Sequence, residues 1–230
     1  MLVSPQATVF GDTMRNITFS MADMHLYGPA FFDFLKLRKR FFVDQLGWNI
    51  PHDENVEMDQ YDNPQAHYAL VLDGDEVVGG ARTLPTTAQW GSHTYMLRDA
   101  AQGKLNDIPE DVVMEDVVRG DLLECTRLVI SDRLRTHAAR STCLSLIAEG
   151  LIDIGAEQGA SRLICLSTTT LLRAVRRLGY EADQVGAPYV NCGDGRTYAV
   201  LSMSSRRRNP TAPHTTHHMS PQPVHAPSKV

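Results

Sequence analysis

Six charged residues stand where the sequence pattern makes charge expensive. Arg38 falls on the apolar side of a helical pattern. Arg82 lies in a strand pattern beside Gly79 and Gly80, and Glu124 and Arg127 interrupt the apolar run LLECTRLVI. Asp59 and Asp62 sit in the acidic stretch NIPHDENVEMDQYDNPQ. A buried charge is tolerated only when it is paired. Three arginines and three carboxylates gathered in one place would neutralise one another. The chemistry open to such a set is proton transfer through a carboxylate and two-pronged holding of a carboxylate by a guanidinium. Glu124 and Arg127 differ in parity along one strand, so they share a face only if a bulge intervenes. Solvent-facing strand positions are the alternative.

The common catalytic signatures are missing. There is no Gly-x-Ser-x-Gly elbow, no Walker loop and no His-Glu-x-x-His. Gly79-Gly80 lies within a strand and opens no helix, which excludes a dinucleotide fingerprint and suggests a bulge or a close backbone approach. Cys125, Cys143, Cys165 and Cys192 are widely spaced. That pattern argues against zinc and against a disulfide scaffold, and fits a reducing cytosol. No metal and no cofactor is expected.

The elements that must position these residues follow from periodicity. A strand is expected over 17–21, then a helix over 27–46 with Phe31, Phe34, Leu35, Arg38, Phe41, Phe42 and Leu46 at helical spacings, ended by Gly47. The acidic stretch reads as a loop. HYALVL (67–72) and EVVGGARTL (76–84) flank Asp73-Gly74-Asp75 as a hairpin. After an irregular stretch with one helical turn near 96–101 come a strand over 122–130, a long helix over 137–158, a strand over 162–167, a helix over 169–178 and a last strand over 196–203. This order predicts one α/β domain with a mixed sheet covered by helices.

The chain has 230 residues, enough for one ordinary domain, and 43% hydrophobic residues supply a core. Residues 1–16 read as an extension, 17–203 as the domain, and 204–230 as a disordered tail holding five of twelve prolines, four of nine histidines and Arg206–Arg208. Residues 1–203 carry a formal charge of about −9, which argues against nucleic acid as a partner. No apolar run reaches the roughly 18 residues of a membrane span, and a cytoplasmic location is expected.

Several segments together resemble the LuxI-type acyl-homoserine-lactone (autoinducer) synthases. Arg38, Phe42 and Trp48 match an opening Arg, an aromatic four residues on and a Trp six later. Asp59-Gln60-Tyr61-Asp62 is similar to an Asp-x-x-Asp element, Arg82-Thr83-Leu84-Pro85-Thr86-Thr87 to an Arg-x-x-Pro-Thr-Thr strand end, Met96-Leu97 to a hydrophobic step, and Glu124-Cys125-Thr126-Arg127 to a Glu-x-(Ser/Thr)-Arg strand. The pieces run in register from about residue 18 to 200. Two departures stand out: the segment between Pro85 and Met96 is longer than usual, and Ala101 replaces an aromatic.

The resemblance implies a GNAT-like three-layer α/β/α fold whose mixed sheet is splayed. It implies S-adenosylmethionine and an acyl thioester as substrates, on acyl carrier protein or coenzyme A, with methylthioadenosine released and a quorum-sensing lactone formed. Glu124 is the expected proton acceptor, with Arg82 and Arg127 in the catalytic set. Arg38, Phe42, Trp48, Asp59, Asp62 and Thr126 are the expected substrate-binding residues. Phe42 and Trp48 suit ring contacts with a sulfonium, although core packing explains Phe42 equally. Ser167 and Thr168 fall where a hydroxyl would meet a 3-oxo acyl chain, and a helix N-cap explains them as well. Leu122, Leu146 and Leu166 are candidates to line an acyl tunnel. Arg133, Arg135, Arg140, Arg173, Arg176 and Arg177 would offer a basic face to an acidic carrier protein, or are solvated helix charges. Two other readings stand beside this one. One is a GNAT-type N-acyltransferase using acyl coenzyme A, disfavoured because residues 133–138 lack the glycines of a pyrophosphate loop. The other is a non-catalytic ligand-binding homologue.

Overall fold

A computed structural model describes residues 14–113 and 120–207. Strand β1 (Met14–Ser20) leads through a 3₁₀ segment to helix α1 (Ala30–Arg38), then come β2 (His67–Asp73), β3 (Glu76–Pro85), the short α2 (Met96–Ala101) and β4 (Leu122–Ile130). Helix α3 (His137–Glu157), β5 (Arg162–Thr168), α4 (Thr169–Arg177), β6 (Tyr180–Gln184), β7 (Tyr189–Val190) and β8 (Thr197–Arg207) follow. The sheet order is β1-β2-β3-β4-β5-β8-β6, with β7 beside β8. Every pairing is antiparallel except β4–β5.

Alternation along the strands sorts the core into two layers. Tyr68, Leu70 and Leu72 point into one cluster with Phe31, Phe34 and Leu35 of α1, whereas Ala69 and Val71 point into the other, with Cys143, Ile147 and Leu151 of α3. Helices α1 and α2 therefore cover one face and α3 and α4 the other, as the three-layer expectation requires. The parallel β4–β5 ladder joins only Leu122–Glu124 to Arg162–Ile164. Beyond Glu124 the two strands diverge, so the sheet is mixed and splayed.

Several boundaries differ from expectation. Strand β1 starts at Met14, and β8 runs to Arg207, past the expected end at 203. Residues 1–13 and 208–230, on which most of the extension and tail readings fall, lie outside the described residues. The expected single helix over 27–46 begins only at Ala30 and is two pieces, α1 and a π-helical continuation over Lys39–Gln45, with the 3₁₀ segment Met21–Tyr27 ahead of it. The continuation ends with the Leu46 N–H donating to the Phe41 carbonyl at 3.1 Å. Gly47 follows at φ 71°, as a helix-ending glycine should. Strands β6 and β7 were not expected.

The Gly79-Gly80 pair does both things a strand glycine can do. The β3–β4 register slips between Gly80 and Arg82. A Cβ on Gly80 would lie 2.5 Å from a Leu70 methyl and 2.9 Å from the Phe34 ring. Helix α1 thus sits against β3 at a distance only glycine permits. Gly80→Val is expected to overpack this contact and lower the unfolding free energy by about 1–3 kcal/mol, read from urea midpoints. Gly120→Ala, at a position with open space and no left-handed φ, serves as the comparison without overpacking.

Candidate active site

Arg38 is completely buried, carried on the last turn of α1. Its Nε donates to Glu57 at 2.6 Å, and its two terminal nitrogens grip both oxygens of Asp62 at 2.8 and 2.9 Å. Arg82, equally buried on β3, reaches Asp59 and Asp62, the latter at 2.8 Å. Arg127 donates to Glu57 at 3.2 Å and to Asp59 at 2.7 Å. Three guanidinium groups thus meet three carboxylates, and the assembly is neutral as a whole.

The loop that supplies the acids is shaped by them. The Asp59 N–H donates to Asp62 Oδ2 and the Asp62 N–H to the Asp59 carbonyl, at 2.9 and 3.0 Å. Tyr68 adds a hydroxyl donor to Asp62 at 2.9 Å. Burial pushes the Asp62 carboxyl up, but Arg82 and Arg38 outweigh it and hold the group well below the ordinary carboxylate range. Asp59 is lowered in the same way, with Arg82 and Arg127 outweighing its burial.

Arg127 joins the cluster against the parity of its strand. Gly80 pairs with Val129 and Arg82 with Thr126, so Ala81 faces two residues, Arg127 and Leu128. Arg127 occupies the left-handed region at φ 56°. This is a β-bulge, and a non-glycine residue in that conformation costs about 1–3 kcal/mol. The bulge turns the Arg127 side chain onto the α1 face, where its guanidinium lies 5.5 Å from the centre of the Phe42 ring.

Glu124 is not the third carboxylate of this cluster, contrary to the sequence-based grouping; Glu57 is. Glu124 stands on the same face as Arg82 and Thr126 but turns to α2. Its two oxygens accept the Met96 and Leu97 N–H groups, both at 2.8 Å. Burial raises its pKa to about 7, against the opposing pull of those two N–H groups and of Arg82. It therefore changes charge near neutrality, which suits a proton acceptor. A second network holds α2 in place. Buried Asp99 accepts from the Thr94 N–H and hydroxyl, the Tyr61 hydroxyl, His93 and Lys104, at 2.7–3.1 Å. Tyr61 lies inside the Asp59–Asp62 loop, so this network ties the arginine cluster to the cradle of Glu124.

Beside these groups a cavity of about 1030 Å³ enters the splay between β4 and β5. Its charged and aromatic lining includes Phe42, Trp48, Asp59, Thr126 and Arg127, and its aliphatic lining includes Leu144, Ile147, Leu151 and Leu166. Ser167 and Thr168 line it too, and Thr168 makes no side-chain cap bond to α4. Arg38, Arg82, Asp62 and Glu124 do not line it; they stand behind the wall. Nor do Leu122 and Leu146, which pack in core clusters on opposite faces of the sheet. Ala101, in place of the expected aromatic, is exposed, and Leu105 and Ile108 line the cavity instead. Cys125 and Cys165 line it, but burial raises both thiols, Cys165 to about 12. Neither offers a thiolate at neutral pH.

Sequence reasoning missed Glu57, Tyr61, Asp99 and Asp194. Asp194 accepts the indole N–H of Trp48 at 2.9 Å and the Tyr198 hydroxyl at 2.7 Å. The six proposed docking arginines are exposed. Arg133 pairs with Glu76, and Arg176 with Asp183 at 3.0 Å. Arg140 and Arg177 line the cavity as well.

Removing one partner of the cluster leaves an uncompensated buried charge. Arg38→Met is expected to cost about 3–5 kcal/mol in urea unfolding, whereas Lys36→Met, which breaks an exposed pair, costs about 0–1 kcal/mol. The pH dependence has a fixed sign. The folded-state pKa values of Asp59 and Asp62 lie below the ordinary 3.8, so their stabilisation is present above that value and disappears as pH falls through the folded values. Asp62→Asn is expected to lower stability at neutral pH and to flatten the acid limb of urea midpoint against pH.

Comparison with known proteins shows the family and the fold. A family model described as autoinducer synthase matches residues 25–209. The chain is 31% identical over 161 residues to an acyl-homoserine-lactone synthase of Acinetobacter nosocomialis, covering 67% of this chain and 82% of that protein. A crystal structure of TofI in a ternary complex with an inhibitor and MTA superposes with a TM-score of 0.60 at 25% identity, covering 83% of this chain and 91% of that one. The fold is also shared with a CoA-dependent acyl-homoserine lactone synthase, BjaI, at a TM-score of 0.69, 21% identity and 85% coverage of both chains. With a family model matched over most of its length and the GNAT-like splayed sheet of the solved synthases, the chain belongs to the autoinducer synthase family.

Proposed function

We propose that this enzyme makes N-acyl-L-homoserine lactones from S-adenosylmethionine and an acyl thioester. The observation that carries the reading is one continuous cavity with a charged, aromatic wall at one side and an aliphatic wall at the other. A zwitterionic sulfonium substrate suits the first, and an acyl chain suits the second.

The substrate amine is mostly protonated at neutral pH and must lose a proton to attack. Asp59 lies closer to the cavity, but its arginines hold it ionised and weakly basic. Glu124, with its pKa at about 7, is the proton acceptor, reached through an intervening water because it stands behind the wall. One ammonium proton is released to solvent; the neutral amine nitrogen then bonds to the thioester carbonyl carbon, the carbon–sulfur bond breaks, and the second nitrogen proton passes by way of Glu124 to the departing thiolate. The substrate carboxylate then attacks its own γ-carbon and expels methylthioadenosine with the electron pair of the broken bond. That second step needs orientation more than base strength, since a sulfonium already leaves readily. Arg127 and Thr126 on the wall and the rings of Phe42 and Trp48 provide the orientation. Arg38, Arg82 and Asp62 act as the frame that fixes Arg127 and Asp59.

The acyl donor in this reading is acyl carrier protein. Arg140 and Arg177, exposed and on the cavity wall, give its rim positive charge toward an acidic partner. The first turn of α3 is already capped by Thr136, which accepts the Ala139 N–H at 3.1 Å. In this reading Ser167 and Thr168, which line the cavity, meet a polar acyl 3-position.

The test is purified enzyme with S-adenosylmethionine and a panel of acyl carrier proteins and acyl coenzyme A thioesters, with products identified by mass. A lactone is expected, with higher kcat/KM from the carrier protein; no lactone from any donor would overturn the reading. Glu124→Gln should lower kcat by about 100-fold or more. The wild-type acid limb of kcat/KM should fall below an apparent pKa of about 7 and be absent from this variant.

A further inference from the structure

Four aromatic rings form a row along the cavity wall. Phe42 and Trp48 lie 4.9 Å apart between centroids, Trp48 and Tyr198 6.1 Å, and Tyr198 and Tyr189 6.2 Å. The Arg127 guanidinium continues the row at the Phe42 end. All four rings line the cavity. They do not come from one part of the fold. Phe42 and Trp48 follow α1, which packs on the β1–β4 side of the splay, whereas Tyr189 and Tyr198 belong to β7 and β8 on the far side.

Asp194 joins these two halves. One of its oxygens, Oδ2, accepts both the Trp48 indole N–H and the Tyr198 hydroxyl, across 146 residues of sequence in the first case. The other oxygen accepts the Arg196 N–H at 3.0 Å. The turn that presents it is itself fixed: Asn191 Oδ1 accepts the Gly193 N–H at 2.8 Å, and Gly195 takes the left-handed conformation at φ 67°. Asp194 does not line the cavity; it stands behind the rings. The β4–β5 ladder unites the halves of the sheet over three residue pairs only, at the end away from this row. The Trp48–Asp194 bond closes the opposite, open end.

We propose that Asp194 is a positioning residue for the lactone-forming reaction: it clasps the mouth of the splay and holds the Trp48 and Tyr198 rings against the sulfonium substrate. The proposal rests on the functional reading above. Without the clasp, the indole turns freely and the mouth widens, so ground-state binding of S-adenosylmethionine weakens. Bond making at the acyl carbon, which depends on Glu124 and Arg127, is left intact.

Three variants and one optical probe test this. Asp194→Ala is expected to raise KM for S-adenosylmethionine by about tenfold, with KM for the acyl donor and the single-turnover rate of acyl transfer at saturating substrates within about twofold of wild type. Asp194→Asn keeps an acceptor oxygen for the two ring donors and should recover most of the loss. Trp48→Phe removes the indole N–H; if Asp194 acts through that ring, Trp48→Phe/Asp194→Ala should bind little worse than Trp48→Phe alone. The chain has two tryptophans, and Trp90 lies on an exposed turn away from the cavity. In a Trp90→Phe background, Trp48 emission reports the clasp without any turnover, and Asp194→Ala should shift it to longer wavelength and weaken its response to methylthioadenosine. An unchanged KM, equal loss in Asn and Ala, or fully additive effects would overturn the proposal. If the wild type forms no lactone, the functional reading fails on its own, and unaltered Trp48 emission in Asp194→Ala would still dispose of the clasp.

Discussion

The structure depends on keeping six charges out of water in a neutral assembly. Arg38, Arg82 and Arg127 face Glu57, Asp59 and Asp62, with Arg38, Glu57 and Arg82 wholly buried. Desolvating any one of these ions costs several kcal/mol, and their mutual attraction offsets that only when every member is in place. Such a cluster adds little net stability over an apolar core. What it does is fix positions: each guanidinium meets two carboxylates and each carboxylate two guanidinium groups, so no member shifts without breaking two pairs. The acidic stretch after α1 has no helix or strand of its own, yet it is held to α1 and β3 through its carboxylates, and Glu57 donates its N–H to the Leu35 carbonyl.

The strain at Arg127 and the opening of the sheet are consequences of that constraint. A regular β4 would send Arg127 to the α3 face, into the apolar cluster around Cys143 and Ile147. The bulge opposite Ala81 turns it back toward Glu57 and Asp59. The bulge also bends β4 just beyond Glu124, the last residue it pairs with β5. Cavity and charge cluster therefore lie side by side for one reason: the distortion that recruits the third arginine is the distortion next to which the sheet parts.

Much of this was legible in the sequence, and the rest was hidden for identifiable reasons. The hairpin around Gly74, β4, α3, β5 and α4 announce themselves through periodicity and turn residues. The sequence also marks Arg38, Arg82 and Arg127 as costly and demands acids for them. It does not say which acids, because a loop containing Asp53, Glu54, Glu57, Asp59 and Asp62 has no period to sort inward from outward side chains. Parity along β4 misleads at Arg127, since nothing about an arginine signals the left-handed conformation. The strand β6 is invisible because YEADQ is polar and buries only Tyr180 and Ala182. Asp99 and Asp194 each look like ordinary loop or helix acids; the partners that tie them to the site, Tyr61 and Trp48, lie 38 and 146 residues away.

The identity of the third carboxylate has a chemical consequence. Arg38, Arg82 and Arg127 need three negative charges, and Glu124 is near enough to Arg82 to feel it. Had Glu124 served in the cluster, two guanidinium groups would have drawn it down as they draw Asp59 and Asp62, and it would be fully ionised and feebly basic at neutral pH. Glu57 fills that place instead. Glu124 is left with two backbone N–H donors, which offset its burial only in part, and its pKa stays at about 7. The separation of a salt-bridged frame from a carboxyl that titrates near neutrality beside it gives one compact site both fixed charge for holding a zwitterion and a group able to take its proton.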